Sequence, residues 1–303
     1  MDHILLAAGL LLSAPQMRPL PRAPAAGRPV AAANTPSIVV ASQGAAVIDW
    51  AAFRAALGAA DVVLAGEQHD LAAHHLAQLD VLREFHALKP GLSVGLEMVD
   101  RTQQASLDDY VSGKMSEADF AAFWKKAWGY DFAIYRPVLA YAKANRIPLK
   151  GLNAPLSVIR QIAKGGMTSL TPAQRAQLPA RVEQTSDARY LAYIKESLSG
   201  HGPVDPARLE RMMEAMAAWN ETMGQSAADA LAQGPVLIIA GSGHMIFRAG
   251  INESLSRRAA AVSAVVLPYP QDGEHRPVPD LIKELQDPAS KDIALGDYFQ
   301  LLP

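Results

Sequence analysis

Four short apolar runs, Asp61–Ala65, Leu92–Leu96, Ile147–Leu152 and Val236–Ala240, constrain the fold of this chain more than any other feature. None alternates apolar with polar residues and each is bounded by turn or capping residues, as in strands buried on both faces of a parallel sheet. A fifth run, Val262–Leu267, follows closely after the fourth. Helical patterns lie between them. Leu71–Leu88 carries Leu71, His75, Leu79, Leu82 and His86 near one face, with Gly91 beyond its end. Ser116 and Asp119 suit a capping box for Glu117–Trp128. Pro155 stands where a helix can begin and Gly165-Gly166 where it would stop. Asp205-Pro206 opens a long helix to about Leu231, ended near Gly234, and Asp49–Leu57 is a leading helix. Strand–helix alternation of this kind predicts an α/β fold, a mostly parallel sheet flanked by helices on both faces. Helical signals without a strand make residues 156–233 an inserted helical subdomain within one domain over 37–303. Past Asp272 the pattern fades, although Asp297–Leu301 suits an edge strand.

Composition limits the chemistry. Half of the 303 residues are apolar, enough to bury a sizeable core. The net charge of −2, with no Lys/Arg cluster, argues against a nucleic-acid partner. There is no cysteine. Disulfides, thiolate zinc sites, iron–sulfur clusters, a cysteine nucleophile and covalent haem attachment are therefore excluded. Any metal or haem must be held by His, carboxylate, Tyr or Met. Ile4–Ala14 is an apolar run of signal-peptide length, and Pro15–Pro36 is an Ala/Pro-rich linker, so residues 1–36 stand apart from the domain. Met1-Asp2-His3 supplies no positive charge. Export, to the periplasm or beyond, is nonetheless the expectation, and no other segment reads as transmembrane.

Polar residues gather where the apolar runs stop. Val62–Ala65 leads into Gly66-Glu67-Gln68-His69, Val94–Leu96 into Glu97, Leu149–Leu152 into Asn153, and Leu237–Ala240 into Gly241-Ser242-Gly243-His244. In a parallel sheet these carboxyl ends share one edge, where ligands bind. Glu67, His69, Glu97 and His244 are thereby candidate catalytic or metal-binding residues, although a salt-bridged Glu67 and a solvated His69 are the plain alternatives. Glu97 weighs more, because a carboxylate after an apolar strand is costly to desolvate unless paired or ligating. His74 and His75 open the following helix, where neighbours diverge by ~100°, so only one can face the site. His86 and His201 suit structural or solvated roles, and His275 the surface. Trp124, Trp128, Tyr130, Phe132 and Tyr135 suit a core or the apolar wall of a haem pocket. Met212, Met213, Met216 and Met223 suit core filling. A serine hydrolase is poorly supported, since Gly241-Ser242-Gly243 is only a fragment of the Gly-x-Ser-x-Gly elbow.

Taken in order, these motifs resemble the ChaN-like family of haem-binding proteins. The opening motif Gly66-Glu67-x-His69-Asp70 with His74-His75 is similar, as are Gly95-Leu96-Glu97-Met98, Arg101, Gln104, Leu107-Asp108 and Trp128. Tyr135-x-Pro137-x-Leu139, Asn153-x-Pro155 and Gly241-Ser242-Gly243-His244 continue the match, which covers roughly Asp49 to Pro268. The resemblance implies a periplasmic or membrane-anchored protein that handles haem during iron uptake. It also implies a homodimer enclosing stacked haems, and an outer-membrane haem receptor as a partner. Cofactor-binding candidates are His69, His74, His75, Tyr130, Tyr135 and His244, with Tyr135 the first choice of axial ligand and Tyr130 the second. The wider Tiki and erythromycin esterase-like superfamily, which the resemblance also takes in, implies an alternative. This is a metal-dependent protease or esterase in which Glu67, His69, Glu97 and His244 hold Mn, Co or Zn and activate water. The chain departs from the family's pattern in lacking an anchoring cysteine, in Asn252, and in Asn220-Glu221, where Asp is usual.

Overall fold

The computed structural model describes residues 38–199 and 205–302; the apolar segment at Ile4–Ala14, the linker at Pro15–Pro36 and His201 lie outside them. Among the described residues, eight strands form one sheet in the order β2-β1-β8-β7-β3-β6-β4-β5. The five expected runs are its parallel strands β3 (Val62–Glu67), β4 (Ser93–Asp100), β5 (Leu149–Asn153), β6 (Val236–Gly241) and β7 (Ser263–Tyr269). β1 (Val39–Ala41) and β2 (Ala46–Ile48) add an antiparallel hairpin at one flank. The strand expected at the edge forms as β8 (Tyr298–Leu301), but it lies inside the sheet, parallel to β7 and antiparallel to β1. The correction has a simple cause: β1 and β2, three residues each, are too short to show a periodicity.

Helices cover both faces, and the sheet's pleat decides which. Val62 and Leu64 of β3 point to one side, Val63 and Ala65 to the other, as period-two geometry requires. The second side packs on α1 (Trp50–Ala59), α2 (Ala72–Leu88), α3 (Gln104–Val111), α4 (Glu117–Ala127) and α5 (Phe132–Ala144) through Phe53, Phe85, Leu107, Phe120 and Leu139. The first packs on α6 (Leu156–Gly165), α8 (Ala188–Ser199), α9 (Pro206–Leu231), α10 (Ile251–Ser256) and α11 (Val278–Gln286). The four-residue α7 (Pro172–Arg175) carries its own capping box. Between β5 and β6 there is no strand among the described residues. Also among them, no helix is long and apolar enough to cross a membrane.

Local chemistry explains the helix ends. Asp49, Ser116 and Asp205 each accept a hydrogen bond from a backbone N–H of the first turn, at Ala52, Asp119 and Arg208. Gly166 ends α6 with φ of 77°. Met212, Met213, Met216 and Met223 are buried among the apolar residues of the first face, and so fill core. Two residues of the Arg101–Asp108 motif brace the frame. The Gln104 amide donates to the Leu149 carbonyl and accepts from the Gly151 N–H, which covers the free edge of β5. Arg101 reaches across to Gln225 on α9.

Candidate functional site

Four adjacent strands, β3, β6, β4 and β5, bring their carboxyl ends together. Glu67 is the last residue of β3 and pairs in register with Gly241 of β6. Glu97 lies in β4 one step beyond Leu96, which is opposite Ile239. Asn153 closes β5 and donates to the Glu97 carbonyl at 2.9 Å. Glu67, His69, Glu97 and His244 are all buried, at most 3% exposed. The sequence thus brings together the residues expected at this edge, as a closed polar centre beneath the surface.

Around Glu67 the bonds form a chain. The Gln78 amide donates to the carbonyls of Ala65 and Gly66, so its oxygen faces His75 Nδ1 at 3.1 Å. The same nitrogen lies 3.0 Å from Glu67 Oε2, while His75 Nε2 faces the His69 carbonyl at 3.3 Å. Both ring nitrogens of His75 thus meet acceptors, the arrangement of an imidazolium. Burial works against that charge, but Glu67 outweighs it and raises the His75 pKa. Burial would likewise raise Glu67, yet His75 and His69 reverse this and hold its carboxyl well below the usual range. Glu67 Oε1 takes the Tyr135 hydroxyl at 2.8 Å and His69 Nδ1 at 2.6 Å. His69 Nε2 is left buried and without a hydrogen-bond partner.

Glu97 anchors the other half. Its Oε2 accepts the Gly241 N–H at 2.7 Å, and His244 Nε2 lies 3.2 Å from its Oε1. Burial opposes ionisation here too, and the His244 charge overrides it, so Glu97 sits below the ordinary carboxylate range. A Cβ at Gly241 would stand 2.9 Å from the His69 ring and 3.6 Å from Glu97 Oε2, so only glycine lets the two halves approach. The expected ligand set for Mn, Co or Zn does not form. Among the described residues no three His, Asp or Glu side chains are placed to hold a metal ion. The reason is that these carboxylates and imidazoles are turned on one another and on backbone.

The aromatic segment divides. Trp124 and Tyr135 are buried. The Tyr135 oxygen is committed, donating to Glu67 and accepting from Trp128 Nε1 at 3.1 Å. Burial and the Glu67 charge push its phenol well above the usual value. Tyr135 is therefore poorly placed to become a tyrosinate ligand. Tyr130 and Trp128 are half-buried, with ring centroids 5.3 Å and 4.8 Å from His69. They form a partly exposed rim over the buried centre. His86 is half-buried against Tyr141 at 3.2 Å, and His275 is exposed. Sequence reasoning missed Gln78 and gave Asn220 no place in the site. Gln78, one turn beyond His74-His75 on the same helix, was the findable one.

Of the two adjacent histidines, His75 enters the site and His74 does not. His74 Nδ1 accepts the Gln68 N–H at 2.9 Å, a bond that a proton on Nδ1 would destroy. Burial is the larger influence, and the His74 pKa is pushed down to about 4. A neutral folded histidine whose unfolded form titrates normally costs stability as pH falls from 6.5 to about 4. At ~1.4 kcal/mol per pH unit the loss approaches about 3 kcal/mol. His74→Asn keeps an acceptor and cannot titrate. Urea unfolding of this variant should show that much less loss of stability than the wild type between pH 7 and pH 4. Parallel curves would refute it.

The chain is similar to known proteins. A family model described as haem-binding uptake, Tiki superfamily, ChaN matches residues 53–255. A solved structure described as cofacial haem binding to ChaN of Campylobacter jejuni is similar at 19% identity and a TM-score of 0.62, covering 88% of this chain and 96% of that one. An erythromycin esterase, EreC, in its open conformation aligns at 13% identity and a TM-score of 0.45, over 77% of this chain and 76% of that one. No curated protein matches the chain in sequence.

Proposed function

We infer that this chain, which belongs to the haem-binding uptake family of ChaN in the Tiki superfamily, binds haem on the rim where Trp128 and Tyr130 lie over His69. The observation that carries this reading is the half-buried Tyr130 phenol beside a buried imidazole whose Nε2 has no partner. Glu67, His69, Glu97 and His244 are packed on one another, so a macrocycle fits only outside them, against apolar ring faces at the surface. In a chain without cysteine, a phenolate oxygen is a suitable anionic donor for ferric haem. The haem would bring the iron chemistry of an uptake protein; the protein's part is to hold the group and settle one proton. Burial and the charges of Asp70, Glu97 and Glu67 raise the Tyr130 pKa, so its proton needs an acceptor when the oxygen meets a cation. Burial lowers the His69 pKa but the Glu67 hydrogen bond and the charges of Glu97 and Glu67 raise it, so His69 keeps its own proton beside the phenolate, and the phenol's proton passes to solvent at the half-buried rim. The Campylobacter jejuni relative is described as binding haem cofacially. By analogy, two copies of this chain pair around stacked haems, in an exported compartment.

A haemin titration followed by absorbance tests the reading. The wild type should give a saturable Soret band. Tyr130→Phe should lose the phenolate-to-iron charge-transfer band and about tenfold or more in affinity, some 1.4 kcal/mol. Tyr135→Phe should bind within a few-fold of wild type. Unchanged affinity in Tyr130→Phe, or loss confined to Tyr135→Phe, would overturn the assignment.

A further inference from the structure

The rim turn Trp128-Gly129-Tyr130 brings two rings and one cation together. The Trp128 and Tyr130 ring centroids are 5.5 Å apart and the planes are tilted by 35°, so they form a nearly continuous apolar face. Trp128 Nε1 is spent on the Tyr135 hydroxyl, which fixes that ring. Gly129 turns the chain between them with φ of 95°, and nothing lies within 4 Å of where its Cβ would stand. The space on that side of the turn is open. At its edge Lys125 Nζ donates to the Gly129 carbonyl at 2.7 Å. An ammonium carries three protons, so two remain for a ligand. Lys125 is exposed, and among the described residues it makes no ion pair. The placement is specific to this lysine. It stands three residues before Trp128, on the same side of α4, whereas Lys126 is ~100° further round and leaves that side. On α5, Arg136 is paired with Glu117 at 2.7 Å and Lys143 lies over the Tyr110 ring.

We propose that Lys125 is the anchor for a carboxylate of the haem, so that the rim selects tetrapyrroles bearing free carboxylates. The inference rests on the haem-binding reading above and deepens it. A tetrapyrrole set on the Trp128 and Tyr130 rings buries an apolar face, and its two propionates are the charges that must stay at a wet edge. Asp70, Glu97 and Glu67 place negative charge near the Tyr130 phenol, which repels those carboxylates from that side. The Lys125 ammonium offers the opposite charge at the other end of the turn. Tyr130 thus meets the iron, and Lys125 an acidic side arm. A lysine in the last turn of a helix can also merely cap a carbonyl and offset the helix dipole. Those two roles respond differently to a ligand whose carboxylates are blocked.

Absorbance titrations of the full chain with haemin and with haemin dimethyl ester make the comparison. Wild-type affinity for haemin should fall as salt is raised, and that for the diester should not. Lys125→Gln should weaken haemin about three- to fivefold and Lys125→Glu about tenfold, as for an exposed ion pair lost and then reversed. Both variants should keep the wild-type affinity for the diester and the phenolate-to-iron band. Lys126→Glu should bind both ligands as the wild type does. Equal losses for the two ligands in Lys125→Gln would assign this lysine to holding the Gly129 turn and overturn the anchor. Haemin affinity unchanged in Lys125→Glu would overturn it too, with the haem reading left standing. A wild type that binds neither ligand would instead sink the haem reading, and the anchor with it.

Discussion

Glu67→Ala should lose about 3–5 kcal/mol of stability, the range for breaking a buried ion pair on one side. The substitution leaves the His75 imidazolium without its counter-charge, while both of its nitrogens still face acceptors that favour the charged form. The same change removes the acceptor for the Tyr135 hydroxyl and for His69 Nδ1. Urea unfolding measures the loss, and its pH dependence identifies the cause. Glu67 is depressed in the fold, so its contribution is present above its ordinary value of 4.5 and is lost as pH falls through the lower folded one. His75 is raised, so its contribution is present below its ordinary value of 6.5 and is lost as pH rises through the higher folded one. The difference between wild type and Glu67→Ala should therefore peak between those two values. The double variant Glu67→Gln with His75→Gln should be less destabilised than the single changes added together. A flat difference across that range would show that the pair is not charged.

Gly250→Ala should be the most damaging glycine substitution near the site, at about 4 kcal/mol. Gly250 has φ of 58° and ψ of −117°, a conformation that costs a side chain about 1–3 kcal/mol. Its Cβ would also press on the His244 carbonyl oxygen and stand 3.0 Å from the carbonyl carbon. That obstacle is backbone and cannot rotate away, so about 1–3 kcal/mol of overpacking is added. Gly113→Ala is the control: φ is 81° there, but nothing lies within 4 Å of the new carbon. It should cost only the conformational part, about 1 kcal/mol. Equal losses in the two variants, by urea unfolding, would show that crowding at His244 is not the cause.

Much of the centre was legible because parallel strands are apolar to their ends, and the first polar residue past each run stands at the sheet's carboxyl edge. That rule delivers Glu67, Glu97 and Asn153 without an alignment, and His244 follows Ser242 within the same turn. The choice between His74 and His75 was not legible. Helical geometry allows only one to face Glu67, but the turn at Asp70-Leu71 sets which, and no periodicity encodes that phase. Tyr135 looked suited to a ligand because its depth depends on α5. That helix carries Pro137 in its body and so reads as interrupted. Tyr130, two residues before the helix begins, stays at the rim. Asn220 and Gln78 are amides within helices, where the sequence cannot tell a solvated side chain from one turned inward. The short β1 and β2 strands escaped notice for want of length, and with them the true place of β8.

That place bears on how the molecule is assembled. β8 is hydrogen-bonded on both sides, to β7 and to β1, and the β1–β2 hairpin joins the sheet through β8. Val40 meets Phe299, its partner across the ladder, only after some 260 residues have intervened. A chain emerging from a ribosome or a translocon can build the β3, β4, β5 and β6 layers first. The hairpin must wait, its unpaired edge exposed, until residues near 298 arrive, and contacts of such long sequence separation slow folding. Completion of this flank thus waits on the last strand of the sheet to be synthesised.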